Sequence, residues 1–143
     1  MNQKAERLQA YFTEKNLNFF QLQEMKDEFN TVLFRSNIEI QKQALPTVIV
    51  TDDTIWTIIR TQIVAGAVTA DKKASVNDFL NDLNMKYKLF KFYATDSGDI
   101  NIDICAPTIP SNFDPEMIRS LIQIEVEQLE ELYPQIMEVV WAK

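Results

Sequence analysis

Few side chains in this sequence are equipped for chemistry. None of the 143 residues is a histidine. That removes the usual general base near neutral pH and the commonest metal ligand, and it excludes Ser-His-Asp and Cys-His arrangements. Cys105 is the single cysteine, so it can form no internal disulfide, CxxC redox pair or structural zinc site. It ends a stretch whose inward phase is Ile100, Ile102 and Ile104, which predicts an outward-facing, partly covered and inert thiol. Neither glycine, Gly66 or Gly98, belongs to a GxGxxG or GxxxxGK pattern, so no phosphate cradle of the usual kind is expected.

Carboxylates remain. Asp52 and Asp53 are adjacent, and Asp96, Asp99 and Asp103 cluster later in the chain. Paired acids can hold a hard cation or share acid and base roles. Asp52-Asp53, however, has the composition of a tight turn, and Asp96-Ser97-Gly98-Asp99 lacks the roughly twelve-residue ligand spacing and closing glutamate of an EF-hand. Turn chemistry is the expectation for both, with Asp103 on the wet side of its strand. No catalytic residue, metal site or cofactor is expected.

The aromatic and aliphatic residues say more. Ile55, Ile59 and Ile63 oppose Trp56, Ile58 and Val64 along one β-branched run, and Phe90-Lys91-Phe92-Tyr93 forms a second apolar strand signal. Both place large groups on two strand faces, which predicts a central strand covered on both sides for part of its length. Trp56, Ile58, Phe90, Phe92 and Tyr93 are therefore the candidate interaction surface, closed by a partner or a second copy of the chain. Residues 19–25 are the competing cover for that face. Trp141 is a further candidate for a subunit contact.

These residues need elements to position them. Leu8, Tyr11 and Phe12 share one side of a helix over 4–16. Val32, Phe34, Ile38 and Ile40 alternate with Arg35, Asn37 and Glu39, as expected of a strand with one wet face. Leu45–Val50 reads as a second strand with Pro46 at its start, and Thr54–Val64 as a third. Val76, Phe79, Leu80, Leu83 and Tyr87 recur at helical spacing, capped by Ser75 or starting earlier at Asp71. Leu89–Ala94 and the stretch from Ile100 form a hairpin. Asp114-Pro115-Glu116 opens a last helix with an acidic cap, proline in the first turn and glutamate at the positive end. Its stripe is Ile118, Leu121, Ile122, Leu129, Leu132, Tyr133, Ile136 and Val140. Pro134 predicts a kink in its last turns. The fold class is α+β: helix, three strands, helix, two strands, helix, with an antiparallel sheet backed by helices in a single domain.

Composition bounds the partners. Apolar residues make up 46% and charged residues 24% of the chain, as in ordinary globular domains. The net charge is −7, and residues 114–143 hold seven acidic against two basic side chains. Such a balance disfavours nucleic acid and anionic membrane, and could steer a basic partner. No apolar run approaches the eighteen or so residues of a membrane span. The amphipathic start does not read as a signal sequence, and with the lone cysteine it makes the cytoplasm the expected location.

Several of these segments are similar to the YbjN-like family of bacterial domains, which shares a fold class with type III secretion chaperones. They are Leu45–Val50 with Asp52–Thr57, Leu80–Asn84 with Tyr87–Tyr93, Asp96–Ile100, Phe113–Glu116 and Tyr133–Met137, spread over roughly residues 30–140. The Ile38–Gln43 stretch has less glycine than the family pattern. The resemblance implies the same element order and a regulatory or chaperone-like role, since the secretion chaperones are small acidic dimers that hold client proteins. It carries over no catalytic residue. The expected function is a non-enzymatic protein-interaction module, a homodimer holding a partner or client. The alternatives are a carboxylate- or metal-dependent hydrolase and a binder of a small apolar ligand.

Overall fold

The computed structural model describes residues 1–143. Helix α1 (Gln3–Glu14) is followed by strands β1 (Gln21–Glu24), β2 (Val32–Ile40), β3 (Gln43–Thr51) and β4 (Trp56–Val64). Helix α2 (Lys73–Lys86), strands β5 (Lys91–Ala94) and β6 (Ile100–Pro107), a short 3₁₀ turn (Pro110–Asn112) and helix α3 (Pro115–Trp141) complete the chain. The six strands form one antiparallel sheet in the order β1-β2-β3-β4-β6-β5. The α+β arrangement and its element order match the sequence expectation, and the segment 19–25 adds a short edge strand.

Alternation assigns the two faces. Val32 and Phe34 pair with Thr51 and Ile49, and Ile49 with Ile59 and then Ile104. All of these are buried. Phe92 and Ile102 continue the same face through β5 and β6. The helices supply the other half of one 24-residue core: Ala5 and Leu8 from α1, Val76, Leu80 and Leu83 from α2, and Ile118 to Val140 from α3. Each helix thus packs on the same side of the sheet, as expected of elements with one apolar face each. The residues between those alternating core positions form the opposite face, which carries no helix.

Local chemistry fixes the helix starts. Asn2 caps α1 through its side-chain oxygen on the Ala5 N–H, 2.7 Å. Asp114 caps α3 on the Glu116 N–H, with Pro115 at the first helical position. Ser75 does not cap α2. It lies inside the first turn and donates back to the Lys72 carbonyl. Helix α3 runs through Pro134 to Trp141, keeping Ile136 and Val140 buried beyond the proline. No helix is long and apolar enough to cross a membrane.

Two expectations change. The double apolar phase of β4 does not reflect cover on both faces. A register irregularity between Gln62 and Val64 lets both Ile63 and Val64 turn into the core, while Ile55 lies before the strand and is exposed. Asp103 is on the face predicted for it yet is only 1% exposed, because Arg60 and Tyr93 close over its carboxylate.

Candidate interaction surface on the open sheet face

The register of the open face arranges its side chains in rows across the strands. Leu33, Val50, Ile58 and Cys105 are consecutive partners from β2 to β6. They form an aliphatic row continued by Trp56, which is 48% exposed. The next row is Arg35, Val48, Arg60, Asp103 and Lys91. Its centre is a two-pronged pair in which the Arg60 Nε and Nη2 groups donate to the Asp103 oxygens, each at 2.9 Å. The Tyr93 hydroxyl donates to the same carboxylate at 3.1 Å. Hydrogen bonding to Asp103 holds the Arg60 pKa above its ordinary value, and burial raises that of Tyr93. Between the Arg35 and Arg60 guanidinium groups the shorter Val48 and Pro46 leave a shallow basin of about 320 Å³.

The candidate residues divide. Trp56, Ile58 and Tyr93 lie on the open face, Trp56 and Ile58 beside the aliphatic row and Tyr93 on the polar side. Phe90 and Phe92 do not belong there. Both are buried in the core, their rings 5.9 Å apart in an edge-to-face contact and flanked by Tyr87. Phe90 and Phe92 share one alternation phase, and that phase faces the helices. Only Lys91 and Tyr93 point the other way. Cys105 faces outward on the aliphatic row, as expected, but is exposed instead of partly covered. Trp141 is largely exposed at the end of α3, with the Lys72 ammonium 5.7 Å above its ring. Residues 21–24 lengthen the sheet at its edge instead of covering this face, and Phe20 stacks on Phe12 on the helix side.

Of the dispersed acids, Asp52 serves its own turn, whereas Asp53 and Asp99 tie distant loops together. Asp52 accepts from the Thr54 N–H at 2.8 Å, Asp53 from the Asn30 side chain at 2.6 Å and Asp99 from the Gly66 N–H at 2.7 Å. No three acidic or sulfur-bearing side chains converge as a metal-holding group. An apolar groove of about 230 Å³ runs between the end of α1 and α3, lined by Phe12, Phe20, Ile38, Ile118 and Ile122 among others. It is smaller than the usual 300–1,000 Å³ or so of a small-molecule site.

Three polar residues, two of them buried, escape a reading by periodicity. Lys4 is 1% exposed and spends its ammonium hydrogens on the carbonyls of Thr54 and Trp56 and the Thr57 hydroxyl, at 2.9–3.1 Å. Burial lowers its pKa, opposed by the charges of Asp52 and Asp53. Its contacts pin the backbone that presents Trp56. Asn84 of α2 donates to the Phe92 carbonyl and accepts from the Phe92 N–H, closing the outer edge of β5. Glu125 of α3 is 0% exposed within the core. Its signal was a gap: the apolar stripe steps from Ile122 to Leu129 across a position that helical spacing assigns to the interior.

Neither a family model nor a curated protein sequence matches the chain.

Proposed function

We propose that this protein is a non-enzymatic interaction module of the YbjN-like kind, regulatory or chaperone-like, which works in the cytoplasm by holding a partner protein on its open sheet face. One observation carries the reading: Leu33, Val50, Ile58 and Cys105 form an unbroken aliphatic row, with Trp56 half exposed, on the side of the sheet that no helix lines. A surface of this make-up gains by excluding water when a partner covers it, and a Trp at its rim is the kind of anchor that dominates binding energy. The charged row alongside supplies orientation. The likeness in Leu80–Asn84 and Tyr87–Tyr93 supports the family assignment. No observation favours the hydrolase, because the carboxylates are engaged at separate places, and the 230 Å³ groove is small for a ligand site.

Affinity capture from a native extract at low salt, with wild type and Ile58→Glu side by side, tests this. Ile58 is only half-buried, so the variant should fold, as circular dichroism would verify. The expected result is a discrete set of proteins retained by wild type and lost from Ile58→Glu. Equal retention by both would remove the open face as the binding surface.

A further inference from the structure

Helix α3 meets the sheet through aliphatic side chains at every inward position except one. Ile118, Leu129, Leu132, Ile136 and Val140 are buried, and Glu125 lies among them at 0% exposure. Neither of its carboxyl oxygens has a hydrogen-bond partner. The nearest polar groups are the paired hydroxyls of Thr61 and Thr47, 2.9 Å apart on β4 and β3. Thr47 also lies 3.2 Å from the Leu45 carbonyl, and either hydroxyl of the Thr47–Thr61 pair can be the donor. A neutral carboxyl can give its hydrogen to a hydroxyl oxygen there, whereas a carboxylate can only accept.

No cation answers the carboxyl. Its neighbours one turn away on α3 are Leu121, Ile122, Gln128 and Leu129, and the core positions of β2 to β6 and of α2 bear no charge. Lys4, the buried cation of α1, is committed to Thr54, Trp56 and Thr57. Asp103 acts from the far side of the sheet with the wrong sign, and Arg60 is already paired with it. Helix α3 is held near its ends, by Arg119 to the Tyr11 hydroxyl and by Lys72 to the Val140 carbonyl, and just past its middle, where Gln41 donates to the Glu130 carboxylate and carbonyl. Ile122, one turn before Glu125, lines the apolar groove against α1.

We propose that Glu125 is a proton-operated latch: the neutral carboxyl closes the middle of α3 onto β3 and β4, and its ionisation opens that seam and widens the adjoining groove. The balance is one proton, released from the Glu125 carboxyl to water on opening and taken back on closing. This device is independent of the open-face reading, because it lies on the helix side of the sheet.

Burial pushes the Glu125 pKa up to about 7, with the Asp103 charge adding to the shift. A hydrogen bond from Thr61 would oppose the shift without cancelling it. The latch therefore works around neutrality. Hydrogen exchange of the full chain, corrected for the intrinsic pH dependence of amide exchange, tests it. Opening of the α3 amides around residues 121–129 should rise about tenfold per pH unit from pH 5 towards 7 and level off above. Glu125→Gln, neutral at every pH, should abolish the trend. A parallel ¹³C titration of the wild-type Glu125 carboxyl should show a midpoint near neutrality. The same pH trend in Glu125→Gln, or a wild-type midpoint below about 5, overturns the proposal, whatever the outcome of the capture experiment.

Discussion

Leu83 and Glu125 are both buried side chains facing the same sheet, and they make opposite demands on it. Leu83 is 5% exposed under α2. Truncation to alanine removes apolar burial and leaves a void that packed neighbours cannot fill, so Leu83→Ala should cost about 2–5 kcal/mol in equilibrium denaturation. Glu125 makes the fold pH-sensitive, and the sign follows from the order of proton release. An ordinary glutamate, as in the unfolded chain, loses its proton near 4.5, whereas in the fold Glu125 keeps it to about 7. Between those values the folded state binds more protons, so stability should fall as pH rises and then level above neutrality. The span is about 3 kcal/mol. Urea midpoints from pH 4.5 to 8 should show that decline in wild type and a flatter profile in Glu125→Gln. Equal slopes would place the titrating group elsewhere. The sequence disclosed these two residues unequally. Leu83 sits on a helical period of like residues, but Glu125 reads as a polar interruption, and nothing local reveals that the sheet closes over it. Lys4 and Asp103 were hidden for the same reason: their partners lie about 50 and 43 positions away.

Elements were legible where their own chemistry terminates them. Asp114-Pro115-Glu116 starts α3 because its cap, fixed φ and first-turn charge act within a few residues. The alternation of β2 and β6 is local in the same sense. Strand β1 carries no such mark. Gln21-Leu22-Gln23-Glu24 is exposed throughout and is a strand only because β2 pairs with it. The irregularity in β4 likewise depends on β6, and it made a one-sided strand look two-sided. Edge protection is another property seen only between elements. The free side of β5 would offer the Phe92 N–H and carbonyl to any passing strand, a recognised hazard of sheet edges. Asn84 occupies both groups, at 2.9 and 3.0 Å. Asn84→Ala should therefore cost about 1–2 kcal/mol and speed exchange at the Phe92 amide selectively within β5. Exchange unchanged at Phe92 would show that the side chain does not seal this edge.

At the scale of the whole molecule the asymmetry of the sheet matters most. Three helices cover one face and none covers the other, so the aliphatic row from Leu33 to Cys105 has no intramolecular partner. The chain itself supplies one candidate cover: residues 19–25 could have folded across, but they extend the sheet instead. A second copy is the simplest remaining cover, because a two-fold axis uses one patch twice and closes without forming a polymer. Stacked sheets lie about 10 Å apart, close enough for opposing Ile58 and Val50 side chains to interdigitate. The charged row limits how the two faces can align, since Arg35 and Lys91 must avoid their symmetry mates while Trp56 finds apolar contact. A specific interface of ordinary size would bury about 800 Å² on each subunit. Light scattering over a concentration series should then give twice the 16.6 kDa chain mass, with a shift towards the monomer on dilution. Ile58→Lys should move that shift to higher concentration by at least about tenfold, since a buried unpaired ammonium costs more than 1.4 kcal/mol. A 16.6 kDa particle at every concentration would sink the dimer, leaving the open face to a different protein.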